Sequence, residues 1–377
     1  MSGNLLQQIR DQGVSLWLDG VTRDELRSGS FRALIDNFGV SGLTTSPRQF
    51  AKSLVGSLTP YGCGLRDLAT RGASAAEAAR LLTAQDAREA CDILSAVHRE
   101  SAGREGWVLL GVDPQFADDV EATLADVRTL AWMVNRPNLM VKVPATKAGV
   151  SVIEAATAEG YNIHATLIPS AERYMDVLDA YAFGLERAGK ARIKLASIHS
   201  AASMLVPRVD TELAAWCMDQ TRINLSSPSA LFGVVNGRHA YRQFSEAMRT
   251  SSWRRLVAAG ANPQRLLWAP ARGKGSTLDE TAYFAGLALP GTISAMTLET
   301  LASAAQLPSQ PMSAGMLTRD EANEIRACEE LGEVSDALMA HRLADGVARA
   351  QKSWLIALHI ADERLNVARA DRLSAQR

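Results

Sequence analysis

Short apolar runs alternate along the chain with longer stretches in which apolar positions recur every three or four residues. The short runs read as strands at 15–20 (SLWLDG), 40–46 (VSGLTTS), 107–113 (WVLLGVD), 139–143 (LMVKV), 163–168 (IHATLI), 194–203 (KLASIHSAAS), 265–269 (RLLWA) and 292–296 (TISAM). The stretches 118–134 (DDVEATLADVRTLAWMV) and 170–188 (SAERYMDVLDAYAFGLERA) carry the helical period instead. Ser170, before Ala-Glu-Arg, supplies a capping hydroxyl and is followed by an acid in the first turn. Strands alternating with helices predict parallel βα units, and eight of them in roughly 300 residues predict an α/β chain folded as a (β/α)8 TIM barrel. A doubly wound open sheet is the structural alternative, but no GxGxxG follows the first strand.

Two segments exceed the simple alternation. Residues 73–99 predict an extra helix between the second and third strands, and from Thr318 the chain is almost entirely helix-forming. The expected organisation is a barrel over 1–317 and a C-terminal helical extension over 318–377, packed on the barrel's exterior as part of the same domain. The last residues, 371–377, are expected to fray.

Composition narrows the function classes. Of 377 residues, 47% are hydrophobic and 21% charged, which suits a globular protein with a large core. A net charge of −1 gives no field for nucleic acid or an anionic membrane, and no apolar run reaches membrane-spanning length. Cys63, Cys91, Cys217 and Cys328 are far apart, which implies reduced thiols and a cytoplasmic setting. The N-terminal MSGNLLQQ lacks a basic stretch before an apolar core, so no signal peptide is expected. The histidines form no ligand spacing, so no metal is expected. No other cofactor is expected, and the assembly is expected to be a monomer or homodimer.

The candidate chemistry sits in the fourth run, where one cation, Lys142, interrupts LMVKVPAT. A lysine among apolar neighbours is costly unless it is paired or neutral, and a neutral amine attacks carbonyls. Alternation of faces places Lys142, Met140 and Pro144 on one side of their strand. The same parity puts Trp17 and Asp19 inward on the first strand, and His164 and Thr166 inward on the fifth, with Ile163, Ala165 and Leu167 outward. On the second strand, Thr44 and Ser46 share a face with Gly42. These polar groups fall near the C-terminal strand ends, where barrel active sites are built. The competing reading makes Lys142 half of a buried ion pair with Asp19, and His164 a satisfied core histidine.

At this point the chain resembles the transaldolase family, in its long bacterial form. The matching stretches are VSLWLD from Val14, GVSGLTTSP from Gly39, NRPNLMVKVPATKAG from Asn135, ATLIPSAERY from Ala165, IHSAASMLVPRVDTE from Ile198 and LWAPARGK from Leu267. The resemblance implies a class I aldolase chemistry on a small carbonyl or sugar-phosphate substrate. The parent reaction moves dihydroxyacetone from sedoheptulose 7-phosphate or fructose 6-phosphate to an aldose phosphate. It implies that Lys142 is the Schiff-base lysine, Asp19 the acid–base carboxylate and Thr166 the residue orienting a catalytic water. It also implies a substrate contact from Ser203 and a basic site for the phosphate from Arg208 and Lys274. Thr44 and Ser46 are expected to line the site from their strand face, and Arg272 adds a third cation nearby.

The departures are as specific as the matches. Where the family has a glutamate before Val-Asp, this chain has Gly111. Where the family has two asparagines that bind donor hydroxyls, it has Ser46 and His164. The expectation is therefore a Schiff-base enzyme with an altered substrate or reaction, with His164 as a substitute acid–base group. The alternatives are a genuine transaldolase and a catalytically silent binding subunit.

Overall fold

The computed structural model describes residues 4–56, 60–206, 232–269, 280–309 and 332–375. Eight strands follow one another around a closed barrel in sequence order: β1 (Ser15–Asp19), β2 (Val40–Thr44), β3 (Trp107–Gly111), β4 (Leu139–Pro144), β5 (Ile163–Ile168), β6 (Ser200–Leu205), β7 (Arg265–Ala269) and β8 (Ile293–Met296). The β2–β3, β3–β4, β5–β6, β6–β7 and β7–β8 pairings are parallel. This is the (β/α)8 architecture that the alternation predicts, extended by the C-terminal helix Gly332–Ala375. That helix runs on to Ala375, and residues 318–331 lie outside the described residues.

The sixth run differs from its prediction. Leu195–Ser197 forms a turn of 3-10 helix, and β6 begins only at Ser200. The backbone before Ser200 is shared between side chains and the β5 edge, with His199 O accepting from Ile163 N–H at 3.3 Å. His199 N–H donates to Asn162 Oδ1 at 2.9 Å, and Ile198 O accepts from Asn262 Nδ2 at 3.0 Å. β5 departs too: its register with β6 shifts between Ala165 and Ile168, and Leu167 takes a left-handed φ of 62°. Such a bulge breaks the period of two, so simple parity stops at Ala165.

The contacts divide the chain into two compact units, one of Met1–Trp17 with Val143–Asp345, the other of Leu18–Lys142 with Gly346–Arg377. In the first, the helices Lys147–Ala158 and Ala171–Lys190 bury Val152, Ile153, Tyr174, Val177 and Tyr181 completely. Their backbones approach so closely that a Cβ at Gly184 would stand 2.6 Å from Thr157 Cβ. Ser170 caps the second of these helices as its sequence predicts, accepting from Arg173 N–H at 3.2 Å.

In the second unit, the predicted extra helix is Ala75–Glu100, opened by a capping box between Ser74 and Glu77. The C-terminal helix lays Trp354, Ala357, Ala361 and Leu365 against Phe50, Leu54, Tyr61 and Leu65. The four contact positions fall on one helical face, and the two alanines allow close approach. Trp354 Nε1 then donates to Asp113 Oδ2 at 2.8 Å, and Gln351 Nε2 to Pro114 O at 3.0 Å, so the extension holds the segment that follows β3. Among the described residues, no helix is long and apolar enough to cross a membrane.

Candidate active site

Lys142 is the single break in the burial of β4, whose other five residues are all buried. The cause is local: Val141 and Val143 point to the helices and pack fully, while the lysine stem turns to the opposite face. Its Nζ donates to Thr44 Oγ1 at 3.3 Å and to Thr45 O at 3.0 Å. Burial holds the amine below the ordinary lysine range, and the charge of Asp19 pulls it back up. Asp19, the last residue of β1, shows the mirror image. Burial raises its carboxyl above the usual range, and Lys142 and then Arg48 oppose the shift.

The two groups sense each other without being locked together. No Lys142–Asp19 contact falls within the 4.0 Å of an ion pair. Among the described residues, the Asp19 carboxylate accepts no hydrogen bond, which leaves its acceptor capacity unspent. This geometry disfavours the buried ion pair that is the competing reading of Lys142. Gly111 lies opposite Lys142 in the β3–β4 register, and a Cβ built on it would meet no atom within 4 Å. Ser46 begins the helix Pro47–Gly56, its Oγ accepting from Gln49 N–H at 3.3 Å. Ser46 and Gly111 also border a cavity of about 70 Å³ that reaches to Trp354.

His164, Thr166 and Ser203 lie in the other unit. His164 Nε2 and Ser203 Oγ are 2.5 Å apart, and both residues are buried. Thr166 sits half-buried at the β5 bulge, its carbonyl accepting from Ala145 N–H at 2.8 Å. Arg208, Arg272 and Lys274 lie outside the described residues. The structure thus groups Lys142, Asp19, Thr44, Ser46 and Gly111 in one unit, and His164 with Ser203 in the other.

Two participants escape the sequence reading. One is the Thr45 carbonyl, a backbone atom that residue type cannot announce. The other is Arg48, exposed in the first turn of its helix. A cation there opposes the helix dipole, and that sequence signal was available.

A closed (β/α)8 barrel with a partly desolvated lysine and an unspent carboxylate at its strand ends belongs among the barrel aldolases and transferases. Comparison with known proteins narrows this further. Residues 16–359 match the family model described as Transaldolase/Fructose-6-phosphate aldolase. The chain is 42% identical over 364 residues to the protein named Transaldolase from Thermobifida fusca, covering 93% of this chain and 96% of that one. It is 38% identical over 352 residues to Transaldolase 1 of Streptomyces avermitilis, covering 93% and 92%. The chain belongs to the transaldolase/fructose-6-phosphate aldolase family.

Proposed function

We propose that this protein makes and breaks carbon–carbon bonds through a Schiff base on Lys142. The carrying observation is how the amine is hydrogen-bonded. A neutral amine has two N–H donors and one lone pair. Thr44 Oγ1 and Thr45 O engage two donors, so the lone pair of neutral Lys142 is left to attack a carbonyl. Burial supports the neutral form.

The steps follow from the groups present. Lys142 Nζ adds to a ketose carbonyl, and the carbinolamine takes up a proton from solvent and loses water to leave an iminium. Asp19 takes the proton of the hydroxyl two carbons away. The electron pair of the broken O–H bond forms the aldehyde C=O, the C–C bond breaks, and its electrons flow into the iminium to give a three-carbon enamine. An acceptor aldehyde reverses the sequence, Asp19 returning the proton, and water releases the product. Arg208, Lys274 and Arg272 would bind the substrate's phosphate, using remote binding energy to fix the reacting centre. Thr166 would orient the water, and Ser203 would contact substrate.

Relatives named transaldolase at 37–42% identity support dihydroxyacetone transfer between sugar phosphates as the reaction. A redirected donor is the second reading. It is favoured by the open space at Gly111 and by His164 being hydrogen-bonded to Ser203. Borohydride reduction in the presence of fructose 6-phosphate, followed by peptide mass mapping, tests the Schiff base. An adduct on any lysine but Lys142, or on none, counts against it. A coupled assay with fructose 6-phosphate and erythrose 4-phosphate then separates the readings: turnover at rates ordinary for enzymes favours transaldolation, and trapping without turnover favours the redirected donor.

A further inference from the structure

The end of β1 is held by a side chain that no motif singles out. The peptide group joining Asp19 to Gly20 offers one donor and one acceptor. Its N–H is taken by the β2 backbone, Gly20 N–H donating to Thr44 O at 2.9 Å. Its C=O is taken by a side chain, Asp19 O accepting from Gln49 Nε2 at 3.2 Å. By this level the chain after β2 has turned into the helix Pro47–Gly56, whose first turn brings Gln49 to that carbonyl.

A second observation agrees independently. Gly20 has φ +88°, and a Cβ built on it would stand 2.1 Å from Gln49 Nε2. The carboxamide therefore occupies the space that any other residue at position 20 would fill. Gln49 is itself steadied, by its N–H on Ser46 Oγ and by buried Phe50 beside it, whose ring meets Tyr61 edge-on at 6.2 Å. A peptide plane pinned at both its N–H and its C=O has no freedom to rotate. The Asp19 Cα belongs to that plane, so pinning it fixes the point from which the carboxylate is aimed.

Resting on the reading of Asp19 given above, we infer that Gln49 is a positioning residue for the Asp19 carboxylate, acting through the Asp19–Gly20 peptide. The carboxylate most needs this support, since it makes no hydrogen bond of its own among the described residues. Misplacement of a reacting group by about 1 Å costs on the order of 10²-fold in rate.

The test uses Gln49→Leu, which keeps volume and loses the donor, and Gln49→Glu, which keeps length and sets an acceptor against the carbonyl. Full-length variants are mixed with fructose 6-phosphate, reduced with borohydride, and the Lys142 peptide is weighed. Cleavage that depends on Asp19 sets the ratio of intact-ketose adduct to three-carbon adduct. The expected result is total adduct as in wild type, a ratio shifted towards intact ketose, and kcat lowered about tenfold or more with KM nearly unchanged. In an Asp19→Asn background, Gln49→Leu should add nothing further.

The inference is overturned if Asp19→Asn shifts the ratio while both Gln49 variants behave as wild type. It is also overturned if the Gln49→Leu effect persists at full size without the Asp19 carboxylate. Absence of any Lys142 adduct in wild type, or an Asp19→Asn variant that cleaves normally, strikes down the reading of Lys142 and Asp19 and this inference with it.

Discussion

Two half-buried carboxylates in the unit Leu18–Lys142 with Gly346–Arg377 are made from similar ingredients and differ in what their oxygens bind. Asp19 faces a lysine and Asp86 an arginine, and burial raises both carboxyls above the ordinary range. Asp86 is saturated. It bonds Arg23 Nε through one oxygen and accepts from the Tyr61 hydroxyl at 2.8 Å through the other, while the Arg23 guanidinium stacks 3.9 Å above the Tyr61 ring. Arg23 cannot give up its proton, so this cluster holds no amine that could turn nucleophilic. Asp19 has spare acceptor capacity, and its cation is an amine that burial pushes towards neutrality. Burial of a carboxylate with a cation therefore does not mark a reactive site. Which cation it is, and how many lone pairs remain unspent, does.

The largest expected effect comes from removing the amine. Lys142→Ala should abolish borohydride trapping and lower turnover by at least about 10³-fold while leaving the thermal transition near wild type. Retained trapping at another lysine would break the comparison at once. Asp86→Ala should do the opposite. It strands a buried guanidinium and should cost about 3–5 kcal/mol of stability in denaturant melts, with Lys142 trapping per folded molecule unchanged. Loss of trapping in the folded variant would show that the two carboxylates are one site.

Restoring the missing side chain should give a gain. Space at position 111 is open, so Gly111→Glu should fold and, if the missing carboxylate limits proton transfer, raise transfer from fructose 6-phosphate on the order of 10²-fold. No gain, alone or with Ser46→Asn and His164→Asn, counts against the redirected-donor reading.

A smaller effect lies in pH. Burial depresses the Lys142 amine, so the trapping rate should reach half its maximum below pH 10.5, the ordinary lysine value. The Asp19 charge works against that depression, so Asp19→Asn should move the half-point lower still; a move upward would contradict the assigned coupling.

The smallest concerns Asp86, whose carboxyl burial holds at about 6 against 3.8. The folded state then keeps a proton that the unfolded chain releases. This contribution is fully present below about pH 4 and is lost as pH rises through about 6. The Tm difference between wild type and Asp86→Asn should accordingly shift in favour of wild type on going from pH 7 to 4, and a flat difference would remove the raised carboxyl from the account.

Much of the site was legible as residue type and parity. Lys142 stood out as a cation in an apolar run, and Asp19 and Thr44 fell on the expected faces, because a strand's period of two depends only on local backbone geometry. His164 was legible as inward-facing, but its partner was not: Ser203 stands 39 residues away in sequence, and only the β5–β6 pairing brings their side chains together. Thr166 shows where parity fails, since a bulge adds a residue and resets the alternation. Gln49 was overlooked for another reason. Its function lies in a hydrogen bond to a backbone carbonyl across a sharp turn, and a glutamine at a helix start carries no such label.

By itself the sequence determined the barrel class, the order of its strands and the capped helices, and it singled out Lys142 and Asp19 as candidates, because these follow from short-range periodicity and residue chemistry. Only the tertiary structure decided that Lys142 is bonded to Thr44 and Thr45 rather than ion-paired to Asp19, that both Asp86 oxygens are engaged while the Asp19 carboxylate accepts no hydrogen bond among the described residues, and that Gln49 fills the place of a side chain at Gly20. The physical reason is the same in each case. A hydrogen bond or a desolvation cost depends on atoms brought within a few ångströms by segments far apart in the chain, and no local pattern records which of them arrive.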